Sequence, residues 1–216
     1  MAALQIKNIP TGPGDDFKID VSYAKGNTKN VISTSGGSPS FAMFGGTDRI
    51  GAYQSIGFGQ TSDAVFLPGF LTGGATGDIK LTEAWGVRGA FNHNWDPFWS
   101  TSFWGSYAGV RYNGDAFDIL SAKGQFCASF NFGKTRSADY SCNPDFNIAQ
   151  VGMVTRWTPV KNLTFSGEVG AFFLDQKFTG AVGPVGAAVA APKPVAVYDF
   201  KDQSTVFLNV RVQRNF

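Results

Sequence analysis

Residues 206–216, VFLNVRVQRNF, close the chain, and apolar and polar side chains alternate along them almost without a break. On an extended strand successive side chains point to opposite faces. Val206, Leu208, Val210, Val212 and Phe216 therefore share one face, and Thr205, Asn209, Arg211, Gln213 and Asn215 the other, with Phe207 and Arg214 breaking the pattern. A soluble sheet with one wet face alternates in the same way. The segment decides the fold only if the rest of the chain repeats it.

Six further segments do. LQIKN sets Leu4 and Ile6 against Gln5 and Lys7. After the Pro/Gly turn IPTGPGD, residues 15–25 set Phe17, Ile19, Val21 and Tyr23 against Lys18, Asp20, Ser22 and Ala24, so residues 3–25 read as a hairpin. Residues 81–94 set Trp85, Val87, Gly89 and Phe91 against Thr82, Gly86, Arg88, Asn92 and Asn94. WDPFW turns this segment into one that ends near Tyr112, with Trp99, Phe103 and Tyr107 on one face and Trp104 and Val110 on the other. Residues 146–158 place Ala149, Val151, Met153 and Trp157 opposite Gln150, Gly152 and Arg156. Beyond PVKN, residues 163–177 place Leu163, Phe165, Val169, Ala171 and Phe173 opposite Thr164, Ser166 and Glu168.

Most of the seven segments run to about 9–14 residues, whereas strands of soluble sheets average about 5–6 and a tilted bilayer-spanning strand needs about 9–11. Short turns (9–14, 94–98, 159–162) alternate with long Gly- and Ser-rich connections (26–80, 113–145, 178–202). Short periplasmic turns and long extracellular loops are the pattern of an outer-membrane barrel, while structureless loops of that length argue against a compact soluble domain. Trp95, Phe98, Trp99, Trp157, Phe165 and Phe216 cluster beside the short turns, where an interfacial girdle would sit. VGAAVAAPKP (185–194) reads as a low-complexity loop.

Composition narrows the functions. Charged residues make up 16% of the 216, against a usual figure of about 25%, yet no run approaches the roughly 18–20 apolar residues of a membrane helix. Gly (27) and Phe (21) are abundant, as expected of aromatic strands joined by flexible turns. A net charge of +2 is too small to indicate a nucleic-acid partner. MAALQIKNIP has no basic region, apolar region or cleavage site of a secretory signal. Either the protein is cytosolic or its signal lies outside this chain, and a start in mid-strand suggests a fragment.

At this point three stretches carry a family likeness. HNWDPFWSTSFWGSYAGVRY, CNPDFNIAQVGMVTRWTPVKNLTFSGEV and DQSTVFLNVRVQRNF together resemble the C-terminal half of the general porins of the Rhizobiales, with TRWTPVKNLT and RVQRNF the most specific parts. The resemblance implies a 16-stranded trimeric barrel of which this chain holds about 7–8 strands. It also implies that a signal peptide, the earlier strands and a constriction loop precede the point where this chain begins. In such barrels the last strand, ending in Phe, is read by the outer-membrane assembly machinery, a role that falls here to Val210, Val212 and Phe216.

Catalytic motifs are weak. His93, the one histidine, could be written into a triad with Asp96 and a serine, but no nucleophile elbow frames it. TGGATGDIK lacks the ending of a phosphate loop. Asp15 with Asp16, or Asp115 with Asp118, could hold a loop cation. Cys127 and Cys142 are too few for a zinc site and match no redox spacing. In an oxidising exterior they are expected to form a disulfide. No enzyme activity, cofactor or metal is expected.

Function would then lie on the wall. If the apolar faces meet lipid, the opposite faces bring Lys7, Lys18, Asp20, Arg88, Arg156, Glu168 and Arg211 to the lumen, a net basic set that would bias which ions linger. The expectation is therefore an all-β chain, one domain over 1–216: a partial transmembrane antiparallel β-barrel of the bacterial outer membrane. It would be a porin admitting small hydrophilic solutes passively, with lipid, the assembly machinery and sister subunits of a homotrimer as partners. Seven strands leave open edges, which are costly in a bilayer. The chain alone is expected to form no conducting open sheet, and to be part of a longer product, a truncated gene copy, or a small barrel in which IGAYQSIGFGQ (50–60) supplies an eighth strand. The rival is a secreted soluble β-sandwich binding carbohydrate on a face built from Trp99, Trp104 and Tyr107. A membrane lipase would need a catalytic set with His93 as its histidine.

Overall fold

Period two, not propensity alone, sets the longest elements of the chain. The computed structural model describes residues 1–32, 40–73, 77–186 and 193–215, apart from the side chains of residues 71 and 72. Seven strands build the main sheet: β1 (Ala2–Lys7), β2 (Asp16–Lys25), β7 (Glu83–Asn94), β8 (Trp99–Arg111), β10 (Phe146–Val160), β11 (Leu163–Gln176) and β14 (Gln203–Arg214). All seven segments read from the alternation are present. Within the sheet they follow chain order, β1-β2-β7-β8-β10-β11-β14, and every neighbouring pair is antiparallel. Apart from β1, with 6 residues, the strands hold 10 to 15, enough for a tilted bilayer crossing.

This sheet, the wall, is open: β1 and β14 are its two edges. Strand direction alternates across it, so β1 and β14, six steps apart, run the same way. They cannot join as antiparallel neighbours, and an antiparallel ring built on this sheet needs an odd number of further strands.

The long connections are not structureless. Around the 3-10 turn at Thr28–Asn30 they hold β3 (Ser40–Gly45), β4 (Gln54–Gln60), β5 (Ala64–Leu67), α1 (Gly69–Thr72), β6 (Asp78–Leu81), α2 (Ala122–Asn131), β9 (Thr135–Arg136), β12 (Ala181–Val185) and β13 (Ala196–Phe200). Five of these strands, drawn from all three connections, form a second sheet in the order β3-β4-β13-β12-β9. Its β4–β13 pair is parallel, which no hairpin can make.

Residues 54–60 thus do form a strand, but inside this second layer and not as an eighth strand of the wall. The reason lies in β4 itself. Its glycine face presses on the wall, since a β-carbon at Gly57 would stand 2.9 Å from Cδ2 of Leu174 and 2.7 Å from Cγ of Gln203. Ile56 and Phe58, on its other face, are buried among Phe178, Val182, Tyr198 and Phe200. A strand buried on both faces has no side to give to water.

Two cores result. One lies inside the second layer and contains Cys127 and Cys142. The other is the seam where that layer meets the wall near its long-loop end: Ala84, Ala108, Val110, Phe146, Ile148 and Leu174 of the wall pack with Ile32, Phe41, Met43 and Val65. Val110, out of step in the sequence reading, is fully buried there. The opposite face of the wall is uncovered. Val206, Leu208 and Val210 are 73%, 77% and 74% exposed, and Leu4, Val21, Phe103, Val151, Val169 and Phe173 are exposed with them. Neither sheet nor helix packs on this apolar face among the described residues.

Candidate pore wall

Pairing register decides which side chains stand together. Asp20 pairs with Arg88, Arg88 with Ser106 and Ser106 with Gln150. Arg156 pairs with Ser166 and Ser166 with Arg211, while Glu168 lies beside Asn209. Lys7 pairs with Asp16, two residues before Lys18. Followed strand to strand, these pairings put Lys7, Lys18, Asp20, Arg88, Arg156, Glu168 and Arg211 on one face of the wall. It is the face away from the exposed apolar band.

Several of these groups are tied to neighbours. Arg88 grips Asp20, with Nη2 2.9 Å and Nε 3.0 Å from Oδ1. Lys18 lies 3.1 Å from Asp16, whose carboxylate also accepts from Gln5 at 2.8 Å. Arg156 donates to Ser102 Oγ (2.7 Å), which donates in turn to Asn92 Oδ1 (2.8 Å). Asp16 is a wall residue that the sequence reading placed in a loop pair. Its even spacing from Lys18 and Asp20 was the signal that could have found it. Counting Asp16, the face carries five cations and three anions.

On the apolar face, aromatic rings crowd the short-turn end. Trp99 and Trp157 stack with centroids 5.7 Å apart, and Phe165 follows at 5.4 Å from Trp157. Tyr107 and Phe173 both lie level with Ala149 on β10, eight residues from Trp157, or about 26 Å along the strand. An apolar zone of that height matches the roughly 25 Å band of outer-membrane barrels. Val210 and Val212 belong to this zone and are exposed. Phe216 lies outside the described residues, as do residues 187–192 of the low-complexity stretch and 74–76 of the Gly-rich one.

At the same end, His93 pairs with Asp15 and not with Asp96. Its Nδ1 is 2.7 Å from Asp15 Oδ2. The fully buried Asp15 carboxylate also accepts from Thr11 Oγ1 (2.7 Å) and the Asn94 amide (2.9 Å). Burial works against its charge, but the bonds from Asn94, Thr11 and His93 prevail and hold its pKa down at about 2. This is a clasp locking the first turn to β7, with no serine in the arrangement. Asp96 accepts from the amides of Phe98 and Trp99 and so shapes its own turn. Asp115 and Asp118 likewise accept from the amides of Phe117 and Leu120. Among the described residues no acidic, His or Cys cluster with the makings of a metal site occurs.

Cys127 and Cys142 are joined in a disulfide, with Cα atoms 5.8 Å apart, fixing α2 to the segment before β10. Beyond it, Arg49 bridges Asp139 (2.6 Å) and Asp199 (2.7 Å), drawing all three long connections together. The Arg49 guanidinium and the Ser137 hydroxyl hold the Asp139 pKa at about 2.

The rival binding face does not assemble. Trp99 and Tyr107 lie on the exposed face, whereas Trp104 pairs with Ala90 and Gly152 on the opposite one. Long antiparallel strands with an uncovered greasy face, a charged opposite face and short turns at one end are built as the wall of a membrane β-barrel is built. A family model described as the porin subfamily matches residues 1–209, and the chain belongs to that porin family. Comparisons with curated proteins and with solved structures give no match.

Proposed function

We propose that this porin lines a water-filled channel across the bacterial outer membrane, through which small hydrophilic solutes and ions diffuse passively. The apolar face that the seven wall strands share, uncovered by any described sheet or helix and exposed on most of them, carries the reading. A soluble protein rarely leaves a continuous patch above a few hundred Å² uncovered, and hydrocarbon would cover this one at no cost. Lys7, Lys18, Asp20, Arg88, Arg156, Glu168 and Arg211 then face the lumen, where hydrated charges bias ion passage without closing it.

The seven strands form the C-terminal part of a 16-stranded barrel of the kind found in the Rhizobiales. A 16-stranded ring that includes this wall holds nine other strands, a number that satisfies the wall's parity. Assembled barrels form homotrimers, and Val210, Val212 and Phe216 present the last strand to the assembly machinery. Catalysis has no part in this function.

The two faces can be tested separately. Both native cysteines are engaged in the disulfide, so single cysteines introduced along β14 report cleanly. In lipid-reconstituted protein, Asn209→Cys and Arg211→Cys should react with a charged, water-soluble maleimide. Leu208→Cys and Val210→Cys should resist it and, once labelled with a fluorophore, be quenched from the lipid phase. Uniform reactivity along the strand would overturn the proposal.

A further inference from the structure

Trp104 and Phe207, the two aromatic residues out of step in the sequence reading, meet on the charged face of the wall. Trp104 on β8 pairs with Gly152 on β10, Gly152 with Gly170 on β11, and Gly170 with Phe207 on β14. Each ring lies down over the glycine beside it. A β-carbon at Gly152 would stand 2.5 Å from Cζ2 of Trp104, and one at Gly170 2.5 Å from Cζ of Phe207. The rings are nearly parallel, at 25°, with centroids 6.3 Å apart. Two consecutive glycines across the sheet thus make room for a flat aromatic floor four strands wide.

Beside the floor, a cleft of about 330 Å³ is lined by Lys18, Asp20, Arg88, Trp104, Ser106 and Gln150. It is joined through Arg88, Ser106 and Gln150 to a second cleft of about 220 Å³ that reaches Ser22 and runs under Ile32. Such volumes fall at or near the lower end of the small-molecule range, roughly 300–1,000 Å³. Two buried polar atoms of residues in this lining, Ser22 Oγ and Trp104 Nε1, have no hydrogen-bond partner among the described residues, which is unusual for buried groups. Along the rim, planar groups that can hold two neighbouring hydroxyls at once stand in one row: Asp20, Arg88 and Gln150.

We propose that this floor and cleft form a binding subsite for a pyranose ring on the wall. A pyranose has a flat C–H face that suits an aromatic ring and an edge of vicinal hydroxyls that both donate and accept. The Arg88–Asp20 pair and Gln150 offer the matching donors and acceptors. An aromatic solute would use the floor and leave the polar row unmet, while a simple anion would use Arg88 and Lys18 and leave the floor unused. The inference rests on the reading of this face as open to water.

Saturation-transfer NMR on the detergent-solubilised chain with methyl β-D-glucopyranoside tests it without any need for conduction. Saturation should reach the ring protons of the C–H face most strongly, and sorbitol, which has the hydroxyls but no ring, should show at least fivefold less. Trp104→Leu should cut the sugar signal at least fivefold, Trp104→Phe should restore most of it, and Trp99→Leu, on the opposite face, should leave it unchanged. Arg88→Met leaves the floor intact and should weaken binding about tenfold. Equal saturation of sorbitol, a full signal from Trp104→Leu or no signal from the parent chain would each overturn the subsite. If the β14 cysteines alternate as expected and the sugar signal is absent, the subsite alone falls. If they do not alternate, the lumen reading falls first.

Discussion

The wall and the layer above it follow different logics, though one chain builds both. In the wall, each strand pairs with its neighbour in sequence and advertises its two faces by simple alternation. The second layer is assembled from strands as short as two residues, taken from connections more than a hundred residues apart, and includes a parallel pair. Its order comes from contacts between connections, the buried aromatic cluster and the Arg49 bridge, with the disulfide bracing the middle connection from within. Local patterning is enough where a solvent boundary runs down each side of a strand. It fails where both sides are protein.

The largest effect should come where the two regions meet. Phe146 is fully buried in the seam and meets Phe41 edge-on at 5.6 Å. Phe146→Ala should cost about 3–5 kcal/mol, read by urea unfolding in lipid vesicles, and should loosen layer and wall together. If only the layer loosens, the two regions are less coupled than the seam implies. Val169, near mid-height on the apolar face, comes next. Val169→Arg should cost about 2–4 kcal/mol, as a cation does at a bilayer midplane, while Glu168→Arg one position along should change stability little. Equal costs at the two positions would erase the distinction between the faces.

The disulfide should act on the layer alone. Replacing Cys127 and Cys142 by serine releases a loop of 15 residues, worth about 3 kcal/mol in the chain-entropy model. Proteolysis should quicken within 113–145 while the wall strands stay protected. The smallest effect is one of pH. With its pKa depressed to about 2, Asp139 stabilises the layer fully above about pH 4 and loses that contribution as pH falls toward 2. Protease sensitivity of the layer should rise across that window. In Asp139→Asn the pH dependence should flatten, and an unchanged profile would assign it to other carboxylates.

The wall was legible in the sequence because seven alternating segments separated by turns leave little choice of order or facing. All seven charged residues assigned to one face by alternation share it, since parity survives any error of a few residues at strand ends. Asp16 reads as half of a loop pair, and not as a wall residue, because it sits at the boundary between turn and strand. The second layer escaped because its signals are glycines. Gly57 and Gly59 lie in a Gly-rich connection whose residues 50–60 read as a candidate eighth strand of the wall, yet here they allow close approach to Leu174 and to Phe41. Trp104 and Phe207 read as flaws in the pattern for a related reason: their partners are the absent side chains of Gly152 and Gly170, and a missing side chain leaves no mark in a hydropathy pattern.

The matching direction of the wall's two rims limits how such a unit can multiply. Tandem duplication would bring β14 of one copy beside β1 of the next as parallel neighbours, a seam that no tight hairpin could connect. Growth by whole hairpins, two strands at a time, never changes that parity. A lineage that began with this arrangement could reach a closed antiparallel ring only by acquiring a single unmatched strand.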